Sequence, residues 1–158
     1  MMTTILMLLT VIAIAGSGLM AGLFFVFSVS VMNALAQMPA REGMKAMQLI
    51  NRTILNTLFL SAFFGTALAC LLLAAISAWQ RLPDFGWAIA GACLYLLGGF
   101  MVTAFFNVPL NNSLDKLTAD DPASHEEWTR YLAIWTRWNH LRAAACILAC
   151  ILLAIGRP

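Results

Sequence analysis

The stretch LFLSAFFGTALACLLLAAISA, residues 58–78, decides the fold, because it has no charged residue and is long enough to cross a bilayer as a helix. A spanning helix needs roughly 20 mostly apolar residues. Similar stretches lie before and after it, and together they predict helices over residues 4–37, 41–79, 85–117 and 124–155. At ~1.5 Å per residue the second helix is longer than a bilayer is thick, so part of it must project or the helix must break.

Short turns join these helices at residues 38–41, 80–84 and 118–124. Short connections make neighbouring helices run antiparallel. The predicted fold class is therefore all-α, an integral membrane four-helix up-down-up-down bundle in which residues 1–158 form one transmembrane domain. We call the end with turns 38–41 and 118–124 the loop side. Pro109 removes a backbone donor from the third helix, so we expect a kink there.

The composition agrees with a membrane protein and argues against other classes. Of the 158 residues, 62% are hydrophobic and 10% are charged, whereas soluble domains average nearer ~45–50% and ~25%. The expected location is the bacterial inner membrane, with membrane lipids as the surroundings. A net charge of only +2 gives no basis for binding nucleic acid. Gly18 and Gly22 form a GxxxG pair that allows close helix packing, so a homo-oligomer is one expectation.

Polar and aromatic side chains concentrate in the loop-side half of the predicted helices. Polar residues inside spanning helices are costly, and they usually face the bundle interior and mark function. Thr103, Asn107 and Asn111 form one stripe at four-residue spacing, and a stripe on the last helix runs from Tyr131 to Arg142. The sequence therefore predicts one polar, aromatic-lined cavity near one membrane face. Its candidate residues are Gln48, Asn51, Arg52, Asn107, Asn111, Tyr131, Trp135, Trp138, Asn139, His140 and Arg142.

These features also have simpler structural interpretations. The aromatic residues could form an interfacial belt, and the asparagines could join helices by hydrogen bonds. His140 and Arg142 are harder to explain in this way, because they lie more than three turns inside the predicted helix. A histidine in such a place can handle a proton or bind a ligand. The four cysteines lie in apolar segments without a CxxC motif, so no metal site is expected, although a single axial haem ligand is conceivable.

Four motifs resemble the anthrone-oxygenase-like family of small integral membrane proteins. They are Gly18-Leu-Met-Ala-Gly-Leu-Phe-Phe25 with Ser28-Val-Ser-Val-Met32, then Ala46-Met-Gln-Leu-Ile-Asn51, Asn107-Val-Pro-Leu-Asn-Asn112 and Trp135-Thr-Arg-Trp-Asn-His-Leu-Arg142. The resemblance covers nearly the whole chain. Asn33 stands where many relatives have proline after a Val-Met pair, and this difference bears on how the first helix ends.

The resemblance implies a cofactor-independent oxygenase, because characterised members are similar to enzymes that convert anthrones into anthraquinones with dioxygen. The substrate would be a lipophilic aromatic small molecule. Neutral His140 would be the base, and Arg142, Asn107 and Asn111 would stabilise the enolate and the developing peroxide. The substrate-binding residues would be Gln48, Asn51, Arg52, Tyr131, Trp135, Trp138 and Asn139. Two other functions stay open: binding of haem or a quinone through His140, and a small transporter or accessory membrane subunit.

Overall fold

The computed structural model describes residues 2–81 and 85–156, and within these ranges the chain forms helices and turns only. Most of the predicted turn at 80–84 lies outside the described residues. The helices, in chain order, are α1 Met2–Val26, α2 Met32–Gln37, α3 Ala40–Thr53, α4 Thr57–Gln80, α5 Phe85–Cys93, α6 Val108–Asp115 and α7 Ser124–Ile155. Three π-helical segments connect some of them, at Phe27–Val31, Leu94–Met101 and Thr103–Asn107.

Four continuous helical runs are long and apolar enough to cross a membrane, with mean hydropathies between 1.7 and 2.3. We call them spans one to four: Met2–Gln37, Thr57–Gln80, Gly86–Asp115 and Ser124–Ile155. The predicted fold class, an all-α membrane bundle with four spans, is confirmed. Trp79 and Trp87 are exposed at the ends of spans two and three that lie opposite the loop side, where indole rings favour the headgroup level.

The helix predicted over residues 41–79 is not continuous, because it breaks between Thr53 and Thr57. Asn56 has an extended backbone there, and its side-chain oxygen accepts a hydrogen bond from the Phe59 N–H at 3.0 Å. This N-cap starts α4, and the Asn56 amide also donates to the Thr53 carbonyl. The break separates α4, which crosses the membrane, from α3, whose polar and apolar faces are distinct.

The π-helical segments lie in spans one and three, and one of them ends two residues before Pro109. The Val108 N–H donates to the Thr103 carbonyl in a wide π turn, and α6 begins immediately afterwards. Pro109 therefore falls in the first turn of α6, where its missing N–H costs no helical bond. A change of helix type thus accommodates the proline that the sequence marked as a kink. Such π turns are frequent at functional sites.

The core consists of two apolar clusters. One joins all four spans and includes Phe24, Cys70, Tyr95 and Cys146, with the Tyr95 hydroxyl donating to the Phe63 carbonyl at 3.0 Å. Spans three and four approach closely at Gly98, where an added Cβ would lie 2.3 Å from that of Ala145. The loop-side cluster is built around α3 and α7, with these buried members: Met32, Leu35, Met44, Met47, Leu114, Ala119, Trp128, Tyr131 and Trp135. Side chains from both clusters line the candidate site.

Candidate functional site

Arg142 is a cation buried inside the bundle, with 5% of its surface exposed. One guanidinium nitrogen donates to Thr103 Oγ1 at 3.0 Å, and another donates to Asn139 Oδ1 at 2.6 Å. In the described part of the chain no carboxylate pairs with it, and its Nε has no hydrogen-bond partner. A buried charge is normally paired or fully hydrogen-bonded, because removing it from water is costly. Arg142 therefore keeps an uncompensated positive charge inside the protein.

Two aromatic rings and one amide hold the guanidinium in place. Its central carbon lies 4.1 Å from the centroid of the Phe24 ring and 5.2 Å from that of Trp135. Both distances fall within the range of cation–π attraction. Asn139 is fully buried, and its amide nitrogen donates to the Phe24 carbonyl and to Ser28 Oγ, each at 2.7 Å. Span one thus fixes the amide that orients the arginine on span four.

Asn111 on α6 is the centre of a second polar group. Its side-chain oxygen accepts hydrogen bonds from the Tyr131 hydroxyl at 2.9 Å and from the Trp135 indole N–H at 2.7 Å. The Asn51 amide of α3 donates weakly to the same tyrosine, at 3.4 Å. Tyr131 and Trp135 are four residues apart on one face of α7, so one acceptor on α6 can serve both donors. The arrangement fixes the plane of the Trp135 ring beside Arg142.

A cavity of about 80 Å³ lies among these groups and is lined by side chains from every span and from α3. Its polar lining residues are Asn51, Thr103, Asn111, Asn139 and Arg142. The rest of the lining is apolar or aromatic: Leu23, Phe24, Phe27, Ile50, Ile54, Leu55, Phe59, Val108 and Trp135. One water needs roughly 10–15 Å³ of such space, so the cavity holds a few waters. It is smaller than the ~300–1,000 Å³ of typical ligand pockets, so a tricyclic ligand requires side chains to move.

The break between α3 and α4 forms one wall of the cavity. Ile54 and Leu55 lie at the break, and Leu55 is 62% exposed although it lines the space. Val108 on α6 also lines the cavity and is exposed. The cavity is therefore closed towards the apolar cluster and accessible beside the helix break.

Five of the eleven predicted site residues line this cavity: Asn51, Asn111, Trp135, Asn139 and Arg142. Tyr131 stands directly behind it, through its hydrogen bond to Asn111. Asn107 is buried but does not line the cavity, and its side-chain amide donates a 3.3 Å hydrogen bond to the Trp135 carbonyl. Asn107 Oδ1 has no partner in the described residues.

Gln48 and Arg52 do not reach the cavity. The Gln48 amide donates to the carbonyls of Leu114 and Leu117, at 2.9 and 3.0 Å, and satisfies acceptors at the end of α6. Arg52 is exposed and pairs with Asp115 at 2.7 Å. Both residues join α3 to the end of α6 away from the cavity, and their role in substrate binding stays a prediction.

Trp138 and His140 lie on the outside of the bundle. Trp138 stacks on Phe106 with the ring centroids 3.8 Å apart, in an outward-facing groove. His140 is exposed and is not among the residues that line the cavity. Residues two apart on a helix point about 200° from each other, so Arg142 and His140 cannot share a face. The structure therefore does not bring the predicted base to the other site residues.

Span one supplies site residues that sequence reasoning did not select, chiefly Phe24, Phe27 and Ser28. Their helix is apolar almost throughout, so no polar stripe distinguished the face that meets the cavity. Thr103 carried a usable signal, because it belongs to the four-residue stripe with Asn107 and Asn111. The π-helical segment at Phe27–Val31, which holds Phe27 and Ser28, was not predicted from the sequence.

Comparison with known proteins finds one family. Residues 47–152, which are 106 of the 158 residues, match the model of the family described as anthrone oxygenase. No curated protein and no solved structure matches the chain. The matched range contains every cavity residue of α3, α4, α6 and α7, and it leaves out those of span one.

Proposed function

This chain belongs to the anthrone oxygenase family, and from that premise we propose that it is a membrane-embedded, cofactor-independent oxygenase of the bacterial inner membrane. Its substrate is a lipophilic aromatic compound with an acidic methylene group beside a carbonyl, as in an anthrone. The methylene carbon loses two hydrogens and gains one oxygen atom of dioxygen, and the other oxygen atom leaves as water. The four electrons that this carbon gives up reduce the dioxygen, so the reaction balances without another reductant.

The observation that carries the proposal is the uncompensated guanidinium of Arg142 in an aromatic-lined cavity. Loss of a methylene proton leaves an enolate, which is rich enough in electrons to react with dioxygen directly. A positive charge that is already oriented stabilises that anion at no cost in rearrangement. The charge binds the neutral substrate less strongly than the anion, which is the condition for catalysis.

The remaining lining supports a planar substrate. The Phe24 and Trp135 rings both lie close to the guanidinium, and Phe27 packs beside Trp135 with their ring centroids 5.8 Å apart. Aromatic rings at such distances offer faces and edges for an aromatic ligand. Leu55 and Phe59 provide apolar contacts near the helix break, where a lipophilic compound can enter.

The test is dioxygen uptake by the purified protein with anthrone, in a mild neutral detergent, against empty micelles as the blank. We expect consumption of dioxygen and formation of anthraquinone in equal amounts. Arg142→Gln should lower kcat by about 10²–10³-fold, the usual effect of removing one donor to an oxyanion. Arg137→Gln is the matched control, because Arg137 is an exposed arginine on the same helix. Uptake no faster than the blank would refute the proposal.

The absence of a cofactor is tested on the same sample. An absorption spectrum and metal analysis of the active protein should show neither haem nor flavin nor stoichiometric metal. A Soret band in proportion to protein would instead favour the haem-binding alternative. Because no described histidine lines the cavity, the haem iron would then need a different ligand there.

A further inference from the structure

Among the residues that the structure describes, none that lines the cavity has a side chain that can act as a base. Arg142 is the one ionisable residue among those that line it, and it is already a cation. Span one contributes Phe24, span three contributes Thr103 and α3 contributes Asn51, none of which titrates. The titratable groups near Arg142 are Tyr131 and Cys146, on its own helix.

Neither of these neighbours is placed to remove a proton from a ligand. The Tyr131 hydroxyl donates to Asn111 and accepts from Asn51. Cys146 is fully buried in the apolar core cluster, on the far side of Arg142 from the loop-side cluster. His140 is exposed outside the cavity. The described residues therefore supply a strong stabiliser of an anion without a partner that takes the proton.

We propose that the site ionises its ligand directly: Arg142 stabilises the ligand's anionic oxygen, and the released proton goes to water at the helix break, without a protein base. The inference rests on the proposed function for the choice of an aromatic, weakly acidic ligand. The C–H or O–H bond of the ligand breaks, its electron pair stays on the ligand as an enolate or phenolate, and water receives the proton. Water can receive the proton at the exposed edge of the cavity near Leu55.

The charge is sufficient for this role. An opposite charge within about 4–6 Å lowers the pKa of an acid by about 1–3 units. The guanidinium Nε has no partner in the described residues, so a donor is free without breaking an existing hydrogen bond. Hydrogen bonds to Thr103 and Asn139 hold the other two nitrogens, so the guanidinium stays in position when a ligand binds or leaves.

The test uses a ligand that cannot react, 2-hydroxyanthraquinone, whose visible absorption changes when its single hydroxyl group ionises. The dye is titrated with acid and base in neutral-detergent micelles, with and without excess protein. We expect bound dye to ionise about 1–3 pH units lower than dye in empty micelles. Arg142→Gln should abolish this shift, Arg142→Lys should retain part of it, and Arg137→Gln should leave it unchanged.

A second variant separates the proposal from catalysis by histidine. His140→Gln should keep both the dye shift and anthrone oxidation within about twofold, because His140 lies outside the cavity. Loss of the shift in His140→Gln, an unchanged shift in Arg142→Gln, or no binding of the dye to the unaltered protein would each overturn the inference. The melting temperature of each variant, followed by tryptophan fluorescence, identifies a variant that has failed to fold. If Arg142→Gln fails to fold, the dye shift measured with Arg142→Lys tests the inference in its place.

The two proposals fail separately. A protein that shifts the dye but does not consume dioxygen with anthrone refutes the oxygenase proposal alone. A protein that oxidises anthrone but leaves the dye unshifted refutes direct ionisation alone.

Discussion

Replacing Arg142 by methionine separates the functional from the structural value of the buried charge. Methionine has a similar length and no charge, so it fills the space between Phe24 and Trp135. We expect activity to fall by about 10²–10³-fold, from loss of the anion stabiliser. We also expect the folded protein to be no less stable than before.

The magnitude follows from the contacts. The substitution removes two charge-assisted hydrogen bonds of Arg142, to Thr103 and Asn139, each of which contributes about 1.5–3 kcal/mol to stability. Two cation–π contacts add about 0.5–2 kcal/mol each. Against these stands a desolvation cost of several kcal/mol for a buried ion, together with the unpartnered Nε. Methionine in turn leaves the buried Asn139 Oδ1 without its donor, at a cost of about 1–3 kcal/mol, so the gains and losses roughly cancel.

The assay is a melting curve by tryptophan fluorescence in mild detergent, together with dioxygen uptake on the same preparation. A change of about 1 kcal/mol shifts the midpoint by about 2–4 °C in a chain of this size, so we expect a midpoint that is equal or a few degrees higher. Arg137→Met is the control for loss of an exposed charge. A midpoint lowered by more than about 8 °C would refute the reasoning, because it would mean that the lost hydrogen bonds and cation–π contacts outweigh the desolvation that is recovered.

Three other changes test the surroundings of the site. Asn111→Leu removes the acceptor of Tyr131 and Trp135, and two stranded donors should lower the unfolding free energy by about 2–4 kcal/mol, measured by thermal unfolding against Asn112→Leu. Asn56→Ala removes the N-cap of α4 and should cost about 1 kcal/mol, visible as faster amide exchange in residues 54–59; unchanged exchange would contradict the role of Asn56 as the cap. Hydrogen bonds from Lys45 and Arg41 hold the pKa of Asp120 below its ordinary value. These contacts stabilise the attachment of α3 fully at pH values above the ordinary pKa of an aspartate, and this stabilisation is lost as the pH falls through the lowered pKa of Asp120. Protection factors of the amides in residues 41–47, which correct for the intrinsic pH dependence of exchange, should therefore fall on acidification in the unaltered protein and should not change over the same pH range in Asp120→Asn.

The site lies where regular helix geometry ends. Four of its fourteen lining residues come from such places: Phe27 and Thr103 from π-helical segments, and Ile54 and Leu55 from the break between α3 and α4. In a bilayer, backbone groups must be satisfied within the protein, so departures from the α-helix persist only where they are buried or line a cavity. Arg142 itself sits in an uninterrupted helix, which gives the charge a rigid support.

The sequence by itself determined the membrane bundle and most of the polar half of the site. Long apolar stretches specify spanning helices because a bilayer leaves the chain no other way to satisfy its backbone. Asn111, Asn139 and Arg142 followed from the rule that polar groups within spans face inwards, and Asn51 followed from its place in the polar half of the predicted second helix. The base role that the family resemblance implies for His140 competes with direct ionisation by Arg142, and the His140→Gln variant tests one against the other; helical geometry already places His140 on a different face from Arg142.

Only the tertiary structure decided which of these residues meet. The sequence could not place Phe24 and Ser28 beside Arg142, because their helix is apolar on every side and its facing direction depends on packing against α4 and α7. It could not assign Gln48 and Arg52 to the α3–α6 contact, because their partners are distant in sequence. The absence of a counterion for Arg142 within the described residues is likewise a property of the assembled bundle, since it depends on every helix that surrounds the charge.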